Sequence, residues 1–411
     1  MALDHEEMKR KRLQKQAQRK AQQRRLIVKL VIAGVVLAVC GAVIIGVTSL
    51  RKPQDAPQAE AETTQPRDVT TIQLAAVGDI NITDRVIQSG TGTYDYTNLF
   101  LDVAPVLAGA DLTVGNFEGT LGGPPYGGSK QAAPHQFAQA LVRAGVDGVQ
   151  VANSYSMSGG LSGLQQTLAG LKTAGLMPMG AFENNAAFRE SSGYTVVEVQ
   201  GVRIVFVAFT KGMGGTALLE GSKDCVNLLY KDYTSTYQEV DTEGIQEVLE
   251  AAQREKPDLV VAMLHWGSEY NDTISKSQEK ICNLMKQNGV DVILGSHSHF
   301  LQKMEKDPET GTFTAWSLGD FLGDGERAGS DYSVILNLQI TKDNKAGTTE
   351  VTGFDYTPVY IVNEKDQPLR LVRIREAVAA YEAGQLSRVS EQTYQKMVYA
   401  LERIEKRIAG E

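Results

Sequence analysis

The segment Gly295-Ser296-His297-Ser298-His299 carries the sharpest chemical pattern in the sequence. Two histidines flanking one residue, directly after the apolar run Val290–Leu294, can turn both imidazoles toward one centre. Neutral imidazole is a common ligand for zinc, iron and other transition metals. A lone pair of this kind fits two hydrogen-bonded loop histidines equally well. The rest of the chain shifts that balance. Of five histidines, His5 falls in a basic tail, and three of the other four (His265, His297 and His299) follow apolar runs. Two carboxylates hold equivalent places. Asp79 follows Ile72–Val77 and Gly78, and Glu118 lies in Gly115-Asn116-Phe117-Glu118-Gly119 after Leu112–Val114. Singly, Asp79 fits a helix cap or turn and Glu118 a solvated loop acid. Together with the histidines they fit a site for two divalent cations, which can activate water and clamp a phosphoryl group. Asn116 and Asn153 are further amide candidates at run ends. His135, in Ala133-Pro134-His135-Gln136-Phe137, is the spare histidine and fits a plain helix start as well as a site residue.

These positions need strands that end together. The short apolar runs Ile72–Val77, Leu112–Val114, Val146–Val151, Leu259–Leu264 and Val290–Leu294 each stop at a polar residue with ligand potential. In open α/β sheets ligands bind at the carboxyl ends of the strands. Between the runs, Gln136–Ala144, Ser162–Ala174, Gly244–Arg254 and Ser277–Gln287 repeat apolar residues at three- and four-residue spacings, which predicts helices. Tyr194–Val199 and Val202–Phe209 meet at Gln200-Gly201, a hairpin turn. Phe313–Leu318, Tyr332–Ile340 and Val351–Tyr356 continue the strand pattern, and the strands of the second half read as antiparallel. The class is therefore α/β with mixed sheets and covering helices. From Leu369 onward the pattern is helical and charged.

The order GDI at 78–80, NFEG at 116–119, HWGSEY at 265–270, DVILGSHSH at 291–299 and SLGDF at 317–321 resembles the CapA family. These are bacterial capsule and poly-γ-glutamate synthesis proteins of the calcineurin-like metallophosphoesterase superfamily. The resemblance covers roughly residues 71–340. It implies a four-layer sandwich of two mixed sheets between helices and a site for two divalent metals of the Mn, Fe or Zn type. It assigns Asp79, Glu118, His265, His297 and His299 as metal ligands. The third family motif, Ala-Asn-Asn-His-x-x-Asp-x-Gly, departs here to Ala152-Asn153-Ser154-Tyr155-Ser156-Met157-Ser158-Gly159-Gly160. Ser154 stands where the superfamily has an amide ligand and Tyr155 where it has a catalytic histidine. Serine is a poor neutral ligand, so the second metal position is weakened. A phenol with a reference pKa near 10 exchanges protons poorly at neutral pH. Weak or absent hydrolysis is therefore expected, with anion or metal binding retained.

Composition bounds the setting. Residues 1–29 carry ten Lys/Arg and three Asp/Glu, about +7, which leaves about −15 for the remainder of a chain with a formal charge of −8. An acidic main domain argues against nucleic acid as a partner, since phosphate backbones need clustered Lys/Arg. Residues 30–50 (LVIAGVVLAVCGAVIIGVTSL) hold no charge and no proline, and about 20 such residues span a bilayer. A cleaved signal peptide would have about 7–15 apolar residues and a small-residue cleavage site. The basic flank at Arg24, Arg25 and Lys29 places the N-terminus in the cytoplasm and the main domain outside it. The domain reading is a basic tail (1–29), a transmembrane helix (30–50), a flexible tether (51–70), the main domain (71–363) and a helical appendage (364–411). Cys225 and Cys282 read as isolated thiols and Cys40 lies in the apolar run. Three functions fit: an envelope protein for making, exporting or attaching an anionic surface polymer; an active phosphoesterase on an envelope substrate; and a non-catalytic scaffold.

Overall fold

Strict alternation of side chains places the layers. The computed structural model describes residues 68–386 and 388–411. The basic tail, the apolar run at 30–50 and the tether up to residue 67 lie outside the described residues, with His5 and Cys40. Among the described residues no helix is long and apolar enough to cross a membrane.

In chain order the strands are β1 (Val69–Asn81), β2 (Leu112–Glu118), β3 (Thr120–Leu121), β4 (Ala132–Ala133), β5 (Gly148–Gln150), β6 (Met177–Met179), β7 (Tyr194–Val199), β8 (Val202–Thr210), β9 (Leu259–His265), β10 (Val292–Ser296), β11 (Met304–Lys306), β12 (Phe313–Ala315), β13 (Asp320–Leu322), β14 (Tyr332–Asp343), β15 (Thr348–Val362) and β16 (Arg370–Arg373). One eight-stranded sheet runs β16-β15-β14-β1-β2-β5-β6, with β13 also paired to β1. A six-stranded sheet runs β11-β12-β10-β9-β8-β7. In the first, β1, β2, β5 and β6 are parallel. In the second, β8, β9, β10 and β12 are parallel.

The longer helices are α1 (His135–Ala144), α2 (Gly160–Ala174), α3 (Thr242–Arg254), α4 (Lys276–Gln287), α5 (Ile374–Glu382) and α6 (Glu391–Ala409). Their starts and stops follow local chemistry. Ser275 and Gln278 form a capping box at the head of α4, and Gly145 and Gly175 close α1 and α2 in the left-handed conformation.

Successive side chains of a strand point to opposite faces. On β8, Ile204, Phe206 and Ala208 join the apolar layer shared with Leu74, Val114, Val261, Leu294 and Leu336 of both sheets. Their neighbours Val205, Val207 and Phe209 pack instead against Ile245, Val248 and Leu249 of α3 and Ile281 and Met285 of α4. On β1, Ala75 and Val77 face Leu141 of α1 and Leu164, Leu168 and Leu171 of α2. The result is helix, sheet, sheet, helix: the four-layer arrangement that the resemblance implied. Each fully buried Leu, Ile or Phe contributes about 1.5–3 kcal/mol. Beyond residue 363, β16 joins the first sheet, and Met397, Ala400, Ile404 and Ile408 of α6 enter the inter-sheet core.

Two expectations need correction. The hairpin at Gln200-Gly201 does join β7 and β8, with both turn residues at positive φ. The second half is nonetheless not antiparallel throughout, because α3 and α4 return the chain between β8, β9 and β10 and so make those strands parallel. The run Phe313–Leu318 is also not one strand. The chain leaves the second sheet after β12 and enters the first at β13, crossing the gap between them at Trp316–Gly319. Two glycines permit that crossing. A Cβ on Gly295 would sit 2.0 Å from Trp316 O, and one on Gly78 would sit 1.9 Å from Gly319 O. Cys225 and Cys282 are free and buried, in the separate outer cores on either side of the sandwich.

Candidate metal centre

The carboxyl ends of both parallel strand sets converge on the crossing. Asp79 lies in β1 and Glu118 ends β2, both in the first sheet. His265 ends β9 in the second sheet, and His297 and His299 follow β10. All five are buried. Within them and one further residue, two triads of ligand atoms form, each with its atoms within 4.8 Å of one another: Glu118 with His265 and His297, and Asp79 with His299 and Asp320.

In the first triad Glu118 Oε1 lies 2.6 Å from His265 Nε2. His265 Nδ1 lies 3.1 Å from Thr210 Oγ1 at the end of β8. A proton on Nδ1, donated to Thr210, leaves the Nε2 lone pair on the Glu118 side, the usual way an outer partner fixes a ligand histidine. The His297 ring stands 4.3 Å from that of His265, centroid to centroid, and its buried Nδ1 has no hydrogen-bond partner among the described residues. Burial, then the neighbouring His265 and the Lys211 ammonium, press His297 well below its ordinary pKa. It is therefore a neutral imidazole, the form that ligates.

In the second triad His299 Nδ1 lies 2.7 Å from Asp320 Oδ1 and 3.9 Å from Asp79 Oδ2. Burial opposes a charge on His299, but Asp320, Glu118 and Asp79 outweigh it and hold the imidazolium up to about 11, a proton that a cation would have to displace for His299 to ligate. The carboxyls show the opposite strain. Burial and then Glu118 push Asp79 well above the usual range, and burial drives Asp320 to about 6 despite His299. Glu118 is lowered: burial raises it most, but His265, His299 and the Asn116 amide together outweigh that. Three carboxyls and three imidazoles packed this closely are short of positive charge. That imbalance, together with the unpartnered His297 Nδ1, fits divalent cations bound by these groups.

The backbone is shaped to the same end. His297 and His299 have φ of 86° and 60°, a region that costs side-chain-bearing residues on the order of 1–3 kcal/mol and clusters at functional sites. His297 N donates to Asp79 Oδ2 at 3.1 Å, and Tyr270 N donates to Ser298 O at 2.7 Å.

The amides hydrogen-bond to the triad carboxylates and to one another. Asn116 Nδ2 donates to Asp79 Oδ1 at 2.7 Å and Glu118 Oε1 at 3.0 Å. Asn153 Nδ2 donates to Asn116 Oδ1 and Phe117 O, and its Oδ1 accepts from Tyr155 N. Its amide is thereby committed to supporting Asn116. Tyr155 is half-buried and its hydroxyl accepts from Gln131 Nε2 at 2.7 Å. Burial, then Glu118, push its pKa to about 12, so the phenol keeps its proton. His135 joins neither triad. It is exposed at the head of α1 and lines a separate cavity of about 480 Å³ with Gln139, Gln166 and Gly170.

Asp320 was not among the candidate residues that the sequence patterns marked. Its sign was SLGDF at 317–321, and the short β13 that carries it does not look like a strand end. Asn81 Nδ2 donates to Asp320 Oδ1 at 2.8 Å and holds the carboxyl toward His299.

Layered mixed sheets with carboxylates and imidazoles at the joined strand ends define an α/β sandwich protein whose buried triads are compatible with metal binding. Residues 73–325 match the family model of the bacterial capsule synthesis protein PGA_cap, and the chain belongs to that family. It is 26% identical over 294 residues to the capsule biosynthesis protein CapA of Bacillus anthracis, covering 69% of this chain and 67% of that one. It is 26% identical over 332 residues to the PGA biosynthesis protein CapA of Bacillus subtilis, covering 77% and 81%. Among solved structures it matches a calcineurin-like phosphoesterase from Bacillus subtilis at a TM-score of 0.44 and 14% identity, covering 83% of this chain and 99% of that one.

Proposed function

We propose that this protein acts in the synthesis, export or attachment of an anionic surface polymer, of the capsule or poly-γ-glutamate kind, through a site that holds divalent cations outside the cytoplasm. The observation that carries the reading is the pair of buried ligand triads in a chain of the PGA_cap family. The apolar run at 30–50 and its basic N-terminal flank support an anchored protein with its main domain outside the membrane.

Glu118, His265 and His297 would hold one cation, and Asp79, His299 and Asp320 a second, of the Mn, Fe or Zn type. When bound, such ions supply Lewis acidity toward a phosphoryl or carbonyl oxygen. The chain's own groups do the rest. Asn116 fixes the rotation of both Asp79 and Glu118. Thr210 fixes the His265 tautomer. Tyr155, protonated and oriented by Gln131, offers an O–H donor to an oxyanion but no ready proton transfer.

The intact triads favour a second reading, a slow phosphoesterase acting on an envelope substrate. Deleting the gene in its host tests the first reading. Loss of cell-bound acidic polymer is expected, with restoration by the wild-type chain and not by Asp79→Ala. Undiminished polymer in the deletion strain would remove the reading.

A further inference from the structure

The main domain poses an electrostatic difficulty, because an acidic body repels an acidic polymer. One exposed cation, Arg327, lies one aromatic ring away from the second triad. Three planar groups stack from the surface inward. The Arg327 guanidinium lies over the Tyr270 ring, 3.9 Å from its centroid. Tyr270 in turn stacks on His299, centroid to centroid 4.8 Å, with 24° between the planes. His299 belongs to the second triad. The stack thus leads from solvent directly to a ligand of the site.

Each layer is held. Tyr270 meets Phe300 edge-on at 6.0 Å, and the Arg407 guanidinium of α6 lies 5.2 Å from the Phe300 centroid. The loop that carries Arg327 is fastened on both sides. Ser330 N donates to Arg327 O at 3.0 Å, Gly329 N donates to Asp331 Oδ1 at 3.0 Å, and Asn363 Nδ2 donates to Asp324 O at 2.8 Å. Asp324 and Glu326 share this loop. Among the described residues, however, neither forms an ion pair with Arg327, and its side chain has no hydrogen-bond acceptor. A guanidinium stacked by its face keeps its edge N–H groups free, and their fork matches a carboxylate or phosphate bidentately.

We infer that Arg327 is the specificity residue of this centre: it captures an oxyanion of the substrate, the carboxylate of an acidic chain or a phosphate, beside the second triad. The inference rests on the reading that the triads form a ligand-binding centre. It adds the residue that reads the substrate's charge.

The test uses the purified full chain in mild detergent, titrated calorimetrically with inorganic phosphate, glutarate and neutral glutaramide, each with and without manganese. Manganese affinity is measured in a separate titration. Arg327→Ala should weaken binding of the preferred anion about tenfold or more, the scale of losing a charge-assisted pair. Arg327→Glu should weaken it further, and both variants should keep the manganese affinity. The anion that saturates identifies the source, carboxylate or phosphate. Unchanged anion binding in Arg327→Ala, equal binding of glutaramide, or no anion binding by the wild-type chain would overturn the inference. Failure of manganese to bind would instead strike the metal reading, and an Arg327-dependent anion signal would survive it.

Discussion

Glu118 and His265 join the two sheets: one ends β2, the other ends β9, and Glu118 Oε1 lies 2.6 Å from His265 Nε2 with both side chains buried. Asp79 and His297 repeat the relationship through the backbone N–H of His297. The candidate centre is therefore a seam, and its side chains also tie the sandwich together at one edge.

Removing one side of that seam should cost cation binding before it costs the fold. His297→Ala deletes a neutral imidazole of the first triad whose Nδ1 has no hydrogen-bond partner among the described residues, so few other contacts are lost. Manganese affinity should fall about tenfold or more, measured by calorimetry, while the far-ultraviolet circular dichroism spectrum stays unchanged.

Acid should empty the site. Asp320 titrates near 6 in the fold, above its ordinary 3.8. Between those values the folded state binds more protons than the unfolded one, so this group's contribution to stability falls as pH rises through the window. Cations need the ionised form. Manganese affinity should therefore drop below about pH 6, and thermal protection by manganese should grow as pH rises from 4 to above 6, the window set by the two values. Melting curves with and without the ion check this. Protection that is constant across the window would contradict it.

Repairing the third motif should restore turnover. Tyr155 holds its proton up to about 12 and cannot serve as an acid or base at neutral pH. Ser154→Asn with Tyr155→His should raise hydrolysis of a generic phosphodiester about 10²–10⁴-fold, the usual worth of general acid–base catalysis. Steady-state assays with manganese measure it.

The crossing between sheets should tolerate no Cβ. Gly78→Ala places a carbon 1.9 Å from Gly319 O, and Asp79 N already donates to that oxygen at 2.8 Å. Overpacking of this kind costs about 1–3 kcal/mol. Denaturant unfolding should show the loss, together with weaker manganese binding, because Asp79 moves with its neighbour.

The legibility of this protein follows its local patterns. Asp79, Glu118, His265 and the His297–His299 pair were visible because each follows an apolar run, and the turn signal at Gln200-Gly201 foretold the pairing of β7 with β8. Asp320 was not, since β13 is three residues long and gains its place only by pairing with β1 after the chain has changed sheets. The supporting role of Asn153 was equally hidden. Its spacing says amide near a strand end, and only the fold shows that amide spent on Asn116 and Phe117. Arg327 sits in a polar loop with no periodicity, and nothing but tertiary stacking marks it.

Anomalous diffraction at the manganese edge, on crystals of the chain grown with the ion, addresses the central claim most directly. One peak is expected within reach of Glu118, His265 and His297 and a second within reach of Asp79, His299 and Asp320. No peak at either triad under saturating manganese would contradict it.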